Sequence, residues 1–313
     1  MLLKETRVVV IYVAFWTASY DGRVIQWRGN YENSKYTKLQ NNTLYAHTNQ
    51  VTGLVAHKNG VLSVGMDDQL ISTQSNVELQ STELPKVAIN KVKIQGLAKG
   101  LTIVNNTAIV ASTNALQAVK LPELQCTVLK KGEYTCVAAS SKYVVVGLDA
   151  AAIVYPISIL TNPSVEPICS FTVKGKVTCC LITPDDCFIA TGSSERQVAL
   201  HEIASKTTIV DQWVFHSSKV TAISCSPEKI EDQWFIASGA VDGIVMVNKP
   251  LKPLEPKKVQ PAHLEGVNCV QWLNTFTRKV PDPKNKDAQV QETVAVVKST
   301  GGDASVKVWE IVL

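Results

Sequence analysis

The stretch KSTGGDASVKVW, Lys298 to Trp309, decides the fold. It reads as an apolar strand, a patch of small residues, a turn acid at Asp303, and a second strand of β-branched residues closed by a tryptophan. The same grammar recurs in TASYDGRVIQW (Thr17 to Trp27) and IASGAVDGIVMV (Ile236 to Val247). Working outward, the turn position falls at Asp21, Asp68, Asn114, Asp149, Glu195, Asp242 and Asp303, a period of about 45 residues. Asp and Asn suit that slot because their side chains bond the turn's own backbone. Seven near-regular strand–turn–strand units predict an all-β radial array, a seven-bladed β-propeller, spanning residues 1–313 as one domain.

Composition agrees with a packed array. Hydrophobic residues make up 45% and charged residues 19%, enough for a sizeable core. The net charge of +4 is small and the lysines are scattered, which argues against nucleic-acid binding. No run of 18 apolar residues predicts a membrane span. Lys4 and Arg7 ahead of Val8 to Trp16 mimic a signal peptide, but the β-branched run leads straight into a repeat unit and reads as a strand.

The eight cysteines show no C-x-x-C pair and no zinc spacing, so no metal or other cofactor is expected. Cys136, Cys179, Cys180, Cys225 and Cys269 lie within strand patterns and read as free, buried thiols in a reducing, intracellular setting. Three of them share a column. The first strands begin Val51-Thr52-Gly53, Tyr134-Thr135-Cys136, Val177-Thr178-Cys179, Val220-Thr221-Ala222 and Val267-Asn268-Cys269, always small at the third place. Innermost strands converge on a central channel, so these cysteines are expected to be small packing residues rather than redox or metal groups.

Further columns carry a resemblance. His47, His216 and His263 each precede a first strand, and Trp27, Tyr155, His201 and Trp309 follow the turns, with Ser72, Val119 and Asn248 as weaker members. This pattern resembles the WD40 family, although Trp309 is followed by Glu310 and Trp27 by Arg28, and the third to fifth units lack the leading histidine. The resemblance implies a hydrogen-bonded network within each blade: His47–Ser63–Asp68, His216–Ser238–Asp242 and His263–Ser299–Asp303–Trp309. With a carboxylate of its own, each histidine is expected to be structural rather than a general base or metal ligand.

Several segments narrow the resemblance. SYDGRVIQW, AHTNQVTGLVAHKNGVLSVGMDD and AHLEGVNCVQWL with GGDASVKVWEI are similar to the second half of the actin-interacting protein 1 family. That resemblance implies a cytoplasmic, cytoskeletal, non-enzymatic protein that binds actin filaments together with cofilin and promotes their disassembly, here with the C-terminal propeller alone. Half of a two-propeller clamp is expected to bind more weakly than the whole. A general scaffold role in another complex is the alternative. The residues themselves offer no catalytic motif and no phosphate loop.

Recognition would fall on the face that carries the turn acids, with Tyr20, Asp67, Leu148, Ser194, Val241 and Gly302 beside Gln50, Lys219 and Glu265 at the strand entries. The protein is expected to act as a monomer. Two departures mark the ends of the array. Residues 275–292, with two prolines and many charges, read as an exposed insertion loop. The first unit lacks a first strand and the last stops after its third, so the ring is expected either to close imperfectly or to be completed by an upstream segment, with Thr6 to Val13 able to supply one strand at most.

Overall fold

In the computed structural model the described residues are 11–32, 35–57, 60–75, 87–250, 252–281 and 289–313. Their 26 strands fall into seven antiparallel sheets, each a meander whose strands pair in chain order. The sheets are the blades: residues 11–45, 51–93, 98–131, 136–172, 177–213, 220–259 and 267–312. Blades 2 to 6 have four strands, and blades 1 and 7 have three each among the described residues. The expected seven-bladed, imperfectly closed propeller is the observed architecture. The run Thr6 to Val13 lies partly outside the described residues, and the strand they include begins at Ile11.

Blades 3 to 6 are apolar on both faces, and consecutive blades bury those faces against each other. Five hydrophobic clusters occupy the joints from blades 2–3 through 6–7. The joint between blades 6 and 7 holds Phe235, Val245, Val267, Trp272 and Ile311. Between blades 7 and 1, Lys298 places its ammonium 4.7 Å from the Phe15 ring centre. Burial lowers the pKa of that lysine.

The first strands explain their own small-residue column. Pairing with the second strand slips by one residue at Val51/Gly53, Ala98/Gly100, Val177/Cys179, Val220/Ala222 and Val267/Cys269. Each slip is a β-bulge that leaves the middle residue out of the ladder. At three of these bulges the middle residue is threonine, and two of the three reach a neighbouring blade. Thr178 Oγ1 donates to the Val220 carbonyl at 2.6 Å, and Thr221 Oγ1 donates to the Val267 carbonyl. The residue after the bulge must be small because the next blade stands close: a side chain at Gly53 would meet Leu101.

Two expectations about the chain need correction. Within 275–292, residues 282–288 lie outside the described residues, and the described residues 275–281 and 289–292 are strand rather than loop. They extend two strands, Val267–Pro281 and Gln289–Gly301, into a ribbon that pairs Thr275 with Ala295 out to Pro281 with Gln289. Arg278 joins Glu292 and Glu310 along it. The thiols are free as expected, but of the five read as buried only Cys136 is: Cys179, Cys180 and Cys225 are half-buried and Cys269 is exposed, as is Cys187.

Thr221→Val keeps the shape and removes one interblade bond while leaving the Val267 carbonyl without its donor. The unfolding free energy should fall by about 1 kcal/mol, read from the urea midpoint.

Candidate functional site

The turn-acid face is built from two kinds of connection, the turns between second and third strands and the loops that enter each first strand. Their backbones are bonded together. Met66 N–H donates to the Gln50 carbonyl, Ser194 N–H to Lys176, Val241 N–H to Lys219, and Gly302 N–H to Gly266. The turns also dock onto the following blade. The Gly22 carbonyl accepts from His47 N–H, and the Gly243 carbonyl accepts from His263 N–H. Both glycines have φ near +80°, and a Cβ would lie 2.1 Å from the His47 carbonyl oxygen or 2.0 Å from that of His263. An Asp-Gly turn is therefore required there for conformation and for clearance.

Beneath that face the histidines hold their blades. His263 Nδ1 lies 2.8 Å from Asp303 Oδ1 and Nε2 lies 2.8 Å from Ser299 Oγ, while Trp309 Nε1–H donates to Ser299 Oγ at 2.8 Å. The carboxylate can only accept, so Nδ1 carries the proton and Nε2 accepts from the serine hydroxyl. The bonds then run one way, from Trp309 to Ser299 to His263 to Asp303. Bonds from Ser305 and His263 outweigh burial and hold the Asp303 carboxyl well below the usual range. In blade 6, His216 Nδ1 lies 3.1 Å from Asp242 Oδ2 and Nε2 lies 2.9 Å from Ser238, with Asn248 donating to the same serine at 3.2 Å. Burial lowers the His216 pKa, and the Asp242 charge opposes it only in part.

Blade 2 corrects one assignment. His47 Nδ1 meets Asp67 Oδ1 at 2.8 Å, not Asp68, and its Nε2 meets Ser63 at 2.8 Å. Asp68 occupies the left-handed turn position at φ 56°, with Oδ1 buried and unbonded. Burial would raise the Asp67 carboxyl, yet bonds from His47 and the Thr48 amide bring it below the ordinary value. Asp67 thus belongs to the network and leaves the list of free face residues. A signal for it exists in the chain: the hydroxyl residue stands four positions before the acid at Ser238/Asp242, Ser299/Asp303 and Thr17/Asp21, a spacing that Ser63 meets only with Asp67.

Blades without the leading histidine fill its place differently. Gln117 accepts from Gln95 N–H at 2.7 Å and donates to the Gln95 carbonyl at 3.0 Å, pinning the entry loop of blade 3. Gln197 accepts from Lys174 N–H and donates to the Asp211 carbonyl in blade 5. His201 takes the tryptophan slot of blade 5, between Thr191 at 3.0 Å and Thr208 at 2.9 Å, stacked on Phe171. Burial lowers its pKa to about 4.

The Ser–His–Asp connectivity matches that of a nucleophile, base and orienting acid. Ser63, Ser238 and Ser299 are at most 1% exposed, and their oxygens are already bonded within the blade. No substrate reaches them. What the face does offer is exposed side chains: Tyr20 at 78%, Leu264 at 84% and Val241 at 52%. Val241 abuts Gly266, beside Leu264, and Lys219 is exposed next to it. Gln50 and Ser194 are half-buried in backbone bonding, and Leu148 packs partly into the core between blades 3 and 4. Leu264 escaped the sequence reading because it adjoins a network histidine and follows no column.

Seven antiparallel sheets in series, three of them holding a histidine–acid–serine network, have the fold of a WD40-type β-propeller. Residues 166–202 match the family model described as WD domain, G-beta repeat. Within that class the chain is similar to Actin-interacting protein 1 of Drosophila melanogaster, 26% identical over 304 residues, covering 95% of this chain and 44% of that protein. It is 25% identical over 303 residues to the 66 kDa stress protein of Physarum polycephalum, with coverages of 95% and 44%. The chain thus spans less than half the length of these relatives. Among solved structures, Sqt1 of Chaetomium thermophilum superposes with a TM-score of 0.59 at 16% identity, covering 96% of this chain and 84% of that one.

His263→Ala strands both Ser299 and Asp303 and should cost about 2–4 kcal/mol of stability, read by urea unfolding, with Ser299→Ala costing less. For His201 the sign follows from a folded pKa depressed from 6.5 to about 4. Within that window the unfolded chain binds a proton that the fold excludes, so stability falls as pH falls, by up to about 3 kcal/mol. His201→Gln should flatten the urea midpoint between pH 6.5 and 4.

Proposed function

We propose that this propeller binds actin filaments together with cofilin, promotes filament disassembly, and catalyses no reaction. The observation that carries the reading is the similarity to Actin-interacting protein 1 along 95% of the chain. The turn-acid face supports it with large side chains free for contact, Tyr20, Val241 and Leu264 with Lys219 among them, on a rigid bonded rim. Aromatic and apolar anchors on such a rim supply most of the energy of protein recognition. The three serine–histidine–acid sets are sealed, which supports a binding role over a chemical one. A cytoplasmic setting goes with this reading, and the monomer is its working unit.

A scaffold role in a different complex is the second reading, favoured by the equally extensive match to the 66 kDa stress protein, whose name specifies no partner. Cosedimentation separates the two. The purified chain should pellet with actin filaments more strongly when cofilin decorates them. Tyr20→Ala and Leu264→Ala should each weaken that binding by about tenfold, in line with 1–2 kcal/mol per anchor. Absence of pelleting in both conditions would overturn the actin reading.

A further inference from the structure

Two thiols from different blades meet beside the central channel. Cys136 opens the first strand of blade 4, and Cys180 lies in the first strand of blade 5, 44 residues further on. Their sulfurs are 3.4 Å apart, within contact distance, and they share an apolar cluster with Val173 and Val177. The neighbouring thiol is directed elsewhere: Cys179 packs on its own blade, where a side chain at Gly192 would strike its sulfur. Strand alternation explains the division, since adjacent residues on one strand face opposite sides. Both cysteines are free, and Cys180 is the more accessible, Cys136 being 7% exposed.

We propose that Cys136 and Cys180 are a modification site, forming a reversible disulfide with hydrogen peroxide that staples the innermost strands of blades 4 and 5. The Cys180 thiolate attacks one peroxide oxygen; an S–O bond forms, the O–O bond breaks, and the departing hydroxide takes a proton to become water. The Cys136 sulfur then attacks the sulfenic sulfur of Cys180. An S–S bond forms, the S–O bond breaks, and a second water leaves with the Cys136 proton. Two thiols are oxidised and one peroxide is reduced to two waters. The sulfurs are already in contact, and forming the bond draws them from 3.4 Å to about 2.05 Å.

The hydrogen bond with Cys136, reinforced by burial, raises the Cys180 pKa well above its ordinary value. The thiolate is therefore scarce at neutral pH, and the reaction quickens as pH rises. This distinguishes a slow, structural oxidation from that of a fast peroxide sensor. The crosslink closes a loop of one repeat and restrains the blade 4–5 joint in the unfolded chain, so the oxidised form melts higher.

The test treats the native chain with hydrogen peroxide at pH 8, removes the oxidant, alkylates the remaining thiols in denaturant, and maps peptides by mass spectrometry. The expected product is a Cys136–Cys180 crosslinked peptide, reversed by dithiothreitol. It should be retained in Cys179→Ala and lost in Cys136→Ala. The melting temperature should rise on oxidation in the wild-type chain and not in Cys136→Ala. Oxidation confined to the exposed Cys187 and Cys269, with Cys136 and Cys180 both recovered as alkylated thiols, would overturn the proposal. So would a crosslink joining Cys136 to Cys179.

Discussion

At two joints of the ring, the close approach of one blade's Asp-Gly turn to the next blade's histidine is the constraint on which the order of the following blade depends. The carbonyls of Gly22 and Gly243 accept the amides of His47 and His263, at a separation that leaves no room for a side chain. Once the backbone there is fixed, the histidine ring has one place to go, between the acid of its own turn and a hydroxyl on its second strand. The acid in turn caps its own turn, as Asp242 Oδ1 does for Ile244 N–H and Asp303 Oδ1 for Ser305 N–H. A single backbone contact therefore links the position of one blade to the internal order of the next.

Buried polar networks are stable only when each member is bonded, and this chain shows two ways to meet that condition. Blades 2, 6 and 7 use a histidine with a carboxylate. Blades 3 and 5 have lost the histidine, and Gln117 and Gln197 bond the entry loops directly with neutral amides. The amide version needs no charge and no particular protonation state. Variation in the repeat is thus chemical substitution at a fixed geometric task, which is why blade 3 keeps its shape although its sequence markers have faded.

The propeller was legible because period and strand pattern repeat seven times, so errors in one unit are outweighed by the rest. The His216 and His263 networks were legible for the same reason. Asp67 and Asp68 were not separable by residue type, since either acid suits a turn; the left-handed φ of Asp68 decides which one faces His47. Gln117 and Gln197 fall in no column that composition would reveal, and their partners are backbone groups. The pairing of 275–281 with 289–295 is hidden in the sequence, whose prolines and charges there read as a loop. Contact between Cys136 and Cys180 depends on how two blades are phased, which a one-dimensional pattern does not encode.

The first strand of blade 7 runs from Val267, three residues after Leu264, to Pro281. First strands elsewhere have four to seven residues. Its 15 residues span about 50 Å at the usual rise of an extended chain. Hydrogen bonds to Gln289–Gly301 along that length keep it stiff. One continuous piece of paired backbone, interrupted by two bulges, therefore sets the separation of Val267 and Pro281.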